Sequence, residues 1–209
     1  MRLSDIYKKD LFIFDFDGTI ADSLGLEFKI YTRYLSSLGL KVKKSDWEKH
    51  LVYHTGEGYV KFMSEFFGIK LDRDTFKKDY AHFARLVEKE KPIKPFMWFL
   101  NFLPKVKGKK CVILSNKDAD LLNENLLSWG VKDYIDKVYS CTSLNATKYE
   151  ILPSILKEFK LKPSSAVLFE DSQKYLDLGK TEGLTTVGIR NKNNFDKLEN
   201  ADYFIDSTK

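Results

Sequence analysis

Short, nearly unbroken apolar runs recur along this chain: Leu11–Phe14, 111–114, 166–169 and 185–189, with a weaker one at 135–139. A strand with one wet face alternates polar and apolar residues. Runs without alternation belong to strands covered on both faces, as in a parallel sheet held between layers of helices. Helical patterns lie between the runs. Asp118 can N-cap a segment through Trp129, and Gly130 can end it in a left-handed turn. The stretch 149–159 reads as a helix with Pro153 near its start, a place tolerable for proline only if the helix begins just before it. Strands alternating with helices predict an α/β fold built on a doubly wound, mainly parallel sheet.

One interval breaks that rhythm. Asp17 and Ser115 are 98 positions apart, far more than a strand–helix–strand crossover needs. The interval reads as helix. Leu24, Phe28, Tyr31, Tyr34, Leu35 and Leu38 recur at helical spacing before Gly39, and Ser45-Asp-Trp-Glu48 has the form of a capping box. Val60, Met63, Phe66 and Phe67 precede Gly68; Asp72 or Asp74 can then start a helix carrying Phe76, Tyr80, Phe83 and Val87. The expected organisation is a core of residues 1–21 and 93–209 with a helical cap, 22–92, inserted after the first strand.

Composition narrows the function classes. Thirty-five Lys and Arg against 30 Asp and Glu give a net charge of +5, and the densest basic run, 105–110, reads as a solvated turn before a strand. A nucleic-acid binder gathers its positive charge in a stripe or arm, so no nucleic-acid partner is expected. The two cysteines, Cys111 and Cys141, form neither a disulfide framework nor a zinc spacing. The first ten residues lack the apolar stretch of a signal peptide, and the apolar segment 96–103 is too short for a membrane span. A cytoplasmic protein without membrane contact is expected. The oligomeric state is not legible, although Trp98, Phe99 and Phe102 read as a core helix face.

The residues that carry chemistry stand at the ends of the apolar runs. In an open parallel sheet, ligands gather at the carboxyl ends of the strands. The run Leu11–Phe14 ends in Asp15-Phe-Asp17, followed by Gly18 and Thr19. Gly18 permits a tight turn there, and Thr19 can hydrogen-bond the turn's backbone. Two acids this close raise one another's pKa unless a cation lies between them, and a hard oxygen-preferring ion such as Mg²⁺ is the natural choice.

The segment Leu11-Phe-Ile-Phe-Asp-Phe-Asp-Gly-Thr-Ile-Ala-Asp-Ser23 resembles the first motif of the haloacid dehalogenase-like hydrolase superfamily, hhhhDxDGTxxDS. The resemblance implies that Asp15 is a nucleophile, transiently phosphorylated, and that Asp17 protonates the leaving alcohol and then activates water. Cys111-Val-Ile-Leu-Ser-Asn116 is similar to the second motif, which makes Ser115 and Asn116 donors to phosphoryl oxygens. Lys148 stands where the family places its lysine, with Tyr149 in place of the usual proline; Lys157 and Lys160 are its rivals. Ala166-Val-Leu-Phe-Glu-Asp-Ser172 resembles the fourth motif. It implies Asp171 as a Mg²⁺ ligand beside Asp15 and the backbone carbonyl of Asp17, with Glu170 a ligand directly or through water. Tyr175 takes a position that is usually small, so packing beside this site is expected to differ.

An inserted helical cap resembles the phosphoglycolate phosphatase and β-phosphoglucomutase branch. The implied activity is Mg²⁺-dependent hydrolysis of a small phosphate monoester from a phosphorylated metabolite. Phosphomutase action is the alternative, but the mutase branch carries a histidine where Glu27 stands, and its cap-loop arginine has no counterpart in 52–58. The loop 52–58, with His54, Thr55 and Glu57, would set substrate choice. Dehalogenation and phosphonate cleavage are disfavoured by the presence of Asp17. A non-catalytic module that binds a phosphate ligand predicts loss of Asp15, Asp17, Lys148 or Asp171, and all four are present.

Overall fold

The computed structural model describes residues 3–46, 56–192, 194 and 197–207. The chain forms two compact units, Met1–Asp22 with Lys94–Lys209, and Ser23–Ile93.

The first unit holds six described strands: β1 (Leu11–Phe14), β2 (Lys110–Ser115), β3 (Lys137–Ser140), β4 (Ala166–Glu170), β5 (Thr185–Arg190) and β6 (Tyr203–Asp206). Their order is β3-β2-β1-β4-β5-β6, and every pairing is parallel. This is the doubly wound arrangement, and the strand order reverses between β1 and β4. Register is tight at that point, because Phe14 pairs with Ile113 on one side and Phe169 on the other. The residues just beyond these strands therefore share one rim.

Alternation within β1 divides the core. Leu11 and Ile13 join Val112, Leu114, Ile151, Leu152 and Ile155 in one buried cluster. Phe12 and Phe14 meet aromatic rings instead, with Phe14 stacked 4.8 Å from Phe169 and edge-on to Phe99 at 5.3 Å. Phe99 and Phe102 are buried on the short helix α4 (Met97–Phe102), so the expected core face is confirmed. Trp98, on the same helix, donates its indole N–H to the Thr19 carbonyl at 3.1 Å and so pins the turn after β1.

The second unit contains the described helices α1 (Leu24–Ser37), α2 (Gly56–Phe67) and α3 (Arg73–Glu90). Tyr34, Leu35, Met63 and Phe76 form its buried centre. Asp72 caps α3 by accepting the Thr75 N–H at 2.9 Å, which decides between the two aspartates proposed as its start. Trp47 and Glu48 of the expected capping box, and residues 52–55 with His54 and Thr55, lie outside the described residues; of 56–58, only their place at the start of α2 is described.

Further helices of the first unit are α5 (Ala119–Ser128), α6 (Cys141–Leu144), α7 (Lys148–Phe159) and α8 (Gln173–Thr181). Asp118 caps α5 through the Asp120 and Leu121 N–H groups, and Gly130 beyond it has φ +67°. Pro153 requires a correction. The α7 start is set by Glu150, which accepts both the N–H and the hydroxyl of Thr147 at 2.8 Å, so the proline falls well inside the helix. One backbone hydrogen bond is lost there. The burial of Ile151, Leu152, Ile155 and Leu156 on the same helix offsets that loss. Two strand readings also change: β3 begins at Lys137 rather than 135, and β6 went unpredicted.

Candidate active site

The site grows from the reversal point of the sheet. Asp15 follows β1 and donates its backbone N–H to the Phe169 carbonyl at 3.0 Å, which carries the β1–β4 ladder one step beyond the strand. Gly18, at φ +76°, turns the chain there with a 3.0 Å bond from its N–H to the Ala21 carbonyl; a side chain at this φ would be strained. Thr19 is fully buried, and its hydroxyl donates to Asp15 Oδ2 at 3.0 Å. The expectation that this hydroxyl would serve the backbone is thus corrected: it orients a carboxylate.

Lys148, the first residue of α7, is 3% exposed. Its ammonium donates to Asp15 Oδ1 and to Glu170 Oε2, both at 2.6 Å. Burial by itself opposes the ammonium charge, but the two carboxylates outweigh it and hold the group well above its ordinary pKa. Burial also raises the pKa of Asp15 and, more strongly, of Glu170, against the pull of Lys148. A buried cation shared between two buried anions is stable only as a set, because removing one member strands the others without solvent. Lys157 and Lys160, the rival lysines, lie at the far end of α7 and line a separate surface hollow with Pro163 and Glu182.

Glu170 has both oxygens engaged: Oε2 by Lys148, and Oε1 by the backbone N–H groups of Asp171 and Ser172 at 3.2 and 3.3 Å. Asp171 Oδ2 accepts from Asn191 at 2.9 Å, and Asp171 Oδ1 lies 3.5 Å from the Thr19 hydroxyl. Carboxylate oxygens of Asp15, Glu170 and Asp171 lie within 4.8 Å of one another. Asp17 stands apart from that group. Its Oδ1 is buried without a hydrogen-bond partner, and the Lys117 ammonium approaches no closer than 3.8 Å.

At the end of β2, Ser115 is buried, and its Oγ accepts the Lys117 N–H at 3.1 Å, which leaves the hydroxyl proton to be given elsewhere. The Asn116 carbonyl accepts the Thr142 hydroxyl at 2.6 Å. Tyr175 packs against this site. Its ring lies 4.5 Å from the Lys148 ammonium and 6.1 Å from the ring of Tyr149, the residue that replaces the usual proline. Such a contact favours the charged form of a partly desolvated lysine.

Asp15, Asp17, Ser115, Asn116, Lys148, Glu170 and Asp171 thus stand at one rim, and the rival lysines do not. Three that were not singled out join them: Lys117 beside Asp17, and Asn191 and Asn194 beyond β5. Lys117 was legible as the residue after Ser115-Asn116. The asparagines were hidden in a polar stretch with no motif, although the strand-end rule applied to β5 pointed there.

A family model of the haloacid dehalogenase-like hydrolases matches residues 12–189. The chain belongs to that family. A curated relative from Bacillus subtilis (strain 168), the "Putative phosphatase YhcW", is 25% identical over 183 residues, covering 86% of this chain and 83% of its own. Among solved structures, CbbY from Rhodobacter sphaeroides in complex with phosphate aligns with a TM-score of 0.80 at 16% identity, covering 94% of this chain and 93% of that one. A predicted phosphoglycolate phosphatase from Haemophilus somnus 129PT aligns with a TM-score of 0.76 at 18% identity, covering 96% of each. These likenesses establish the fold, and family membership makes this haloacid dehalogenase-like hydrolase an enzyme of the phosphohydrolase type. Among its described residues, no helix is long and apolar enough to cross a membrane.

Proposed function

We propose that the protein is a Mg²⁺-dependent phosphatase that hydrolyses a small phosphate monoester through an aspartyl-phosphate on Asp15. The observation that carries this reading is the buried Lys148 ammonium, 2.6 Å from both Asp15 and Glu170 where the strand order reverses. A nucleophilic carboxylate must approach an anionic phosphate, and a fixed cation against it offsets their repulsion.

The donor set fits a hard divalent cation, because only oxygens converge and Asp17 carries a buried oxygen without a hydrogen-bond partner. Asp15 and Asp171, with the backbone carbonyl of Asp17, would hold it. Glu170, which also accepts from Lys148 and two backbone N–H groups, would stand beside it as a ligand directly or through water. Bound there, Mg²⁺ would neutralise charge on the transferring phosphoryl group.

In the first step an Asp15 oxygen bonds to phosphorus while the ester P–O bond breaks, and Asp17 gives its proton to the departing alkoxide. In the second, the Asp17 carboxylate takes a proton from water, which attacks phosphorus and releases inorganic phosphate and free Asp15. Lys148, Ser115 and Asn116 face the added charge throughout. The partner is a small phosphorylated metabolite; two buried, unpaired cysteines suit a reducing, cytoplasmic setting.

The test is hydrolysis of p-nitrophenyl phosphate by the full chain with Mg²⁺, with EDTA, and by Asp15→Asn. Turnover is expected with Mg²⁺, with loss of about three orders of magnitude or more in the variant. Turnover that survives EDTA, or that persists in Asp15→Asn, overturns the reading.

A further inference from the structure

Asn191 is the first residue past β5 and is 3% exposed. A primary amide carries two N–H bonds, and both acceptors facing this one belong to the site. The nitrogen donates to the Gly18 carbonyl and to Asp171 Oδ2, each at 2.9 Å. Gly18 belongs to the turn after β1 and Asp171 to the loop after β4, so one side chain joins the two loops that flank the reversal point.

Asn191 is itself held in place. Its backbone N–H donates to Asn194 Oδ1 at 2.7 Å, and Asn194 Nδ2 donates to the Asp171 carbonyl at 2.7 Å and the Ile189 carbonyl at 2.9 Å. The two amides therefore grip Asp171 at its carboxylate and its backbone together. Burying two asparagines, 3% and 4% exposed, has a desolvation cost that a surface loop need not bear. Here the cost is met by giving both amides a full set of acceptors around one acid.

We propose that Asn191 is a positioning residue for cation binding: by holding Asp171 Oδ2 it turns Asp171 Oδ1 toward Asp15, and by holding the Gly18 carbonyl it keeps the two loops in register. The proposal rests on the phosphatase reading above, in which Asp171 and Asp15 hold Mg²⁺. Outer-shell partners of metal-binding carboxylates set ligand orientation in this way, and their loss typically weakens metal affinity about 10–100-fold.

The experiment is calorimetric titration of Mg²⁺ into the wild-type full chain and into Asn191→Ala and Asn191→Asp. Both variants are expected to bind Mg²⁺ about 10–100-fold more weakly. The aspartate variant separates positioning from charge: a further carboxylate acting by charge alone would tighten cation binding, whereas loss of the donor weakens it. In case the variants unfold, a second measurement uses the wild type, where the Asn191 side-chain amide protons should exchange slowly with solvent and shift in NMR spectra on Mg²⁺ addition. Unchanged affinity in both variants, tighter binding by Asn191→Asp, or fast-exchanging amide protons unmoved by Mg²⁺ overturns the assignment of Asn191 alone. A wild type that binds no Mg²⁺ overturns the metal-dependent reading together with it.

Discussion

Two strand ends in this molecule each carry a pair of acids, and the pairs are built differently. After β1, Asp15 and Asp17 are separated by Phe16; at β4, Glu170 and Asp171 are consecutive. The inner members, Asp15 and Glu170, are buried and meet on the same Lys148 ammonium. The outer members diverge. Asp171 is gripped through its carboxylate and its carbonyl by Asn191 and Asn194, whereas Asp17 has an oxygen with no hydrogen bond and a lysine no nearer than 3.8 Å. The contrast suits the two roles proposed for these acids. A ligand is best held still, while an acid–base group must exchange a proton and is better left with an uncommitted oxygen.

Lys148→Met breaks the shared part of the comparison and carries the largest expected effect. Two buried carboxylates would lose their counter-ion, so urea unfolding should report a loss of about 3 kcal/mol at neutral pH without metal. Turnover of an aryl phosphate should fall by about 10²–10³-fold. The pH dependence has a definite sign. Burial already raises both carboxyl pKa values with Lys148 present, and without it they rise further. The folded variant then binds more protons than the unfolded chain, so its stability falls as pH rises above the ordinary carboxylate range and returns on acidification. A flat profile would mean that the site relaxes to let water in.

A smaller effect sharpens the difference between the outer acids. Asp171→Asn should weaken Mg²⁺ binding at least about tenfold, since it removes a charged ligand. Asp17→Asn should change it by less than about threefold, because its contribution comes from the backbone carbonyl, which the substitution keeps. Calorimetric titration of both variants checks this; equal losses would erase the distinction between the pairs.

Much of this arrangement was legible in the sequence, for a physical reason. Strands buried on both faces must be apolar throughout, so Leu11–Phe14 and 166–169 announce themselves, and the polar residues just beyond them stand out. The edge strand β6, only partly buried after Tyr203, has no such contrast and was invisible. The helix over 149–159 was legible to within one residue of its start, but with the Thr147–Glu150 capping box fixing that start Pro153 falls inside it rather than at its first turn. Lys148 was legible only through family resemblance, since one lysine among 35 basic residues carries no local mark. For Asn191 and Asn194 the strand-end rule gave the place but not the role, which exists only in three dimensions, at contacts 20 and 23 positions from Asp171.

The central claim is that Asp15 takes the phosphoryl group while Asp17 moves the proton. Rapid mixing of Asp17→Asn with p-nitrophenyl phosphate and Mg²⁺, quenched in acid and mapped by peptide mass spectrometry, tests it directly. An aryl oxide leaves without much help from an acid, so the first step should proceed and the second should stall. The account predicts a burst of nitrophenolate close to one equivalent, slow turnover after it, and a phosphate on the peptide bearing Asp15. Steady turnover at the wild-type rate without a burst, or phosphate on any other residue, would contradict it.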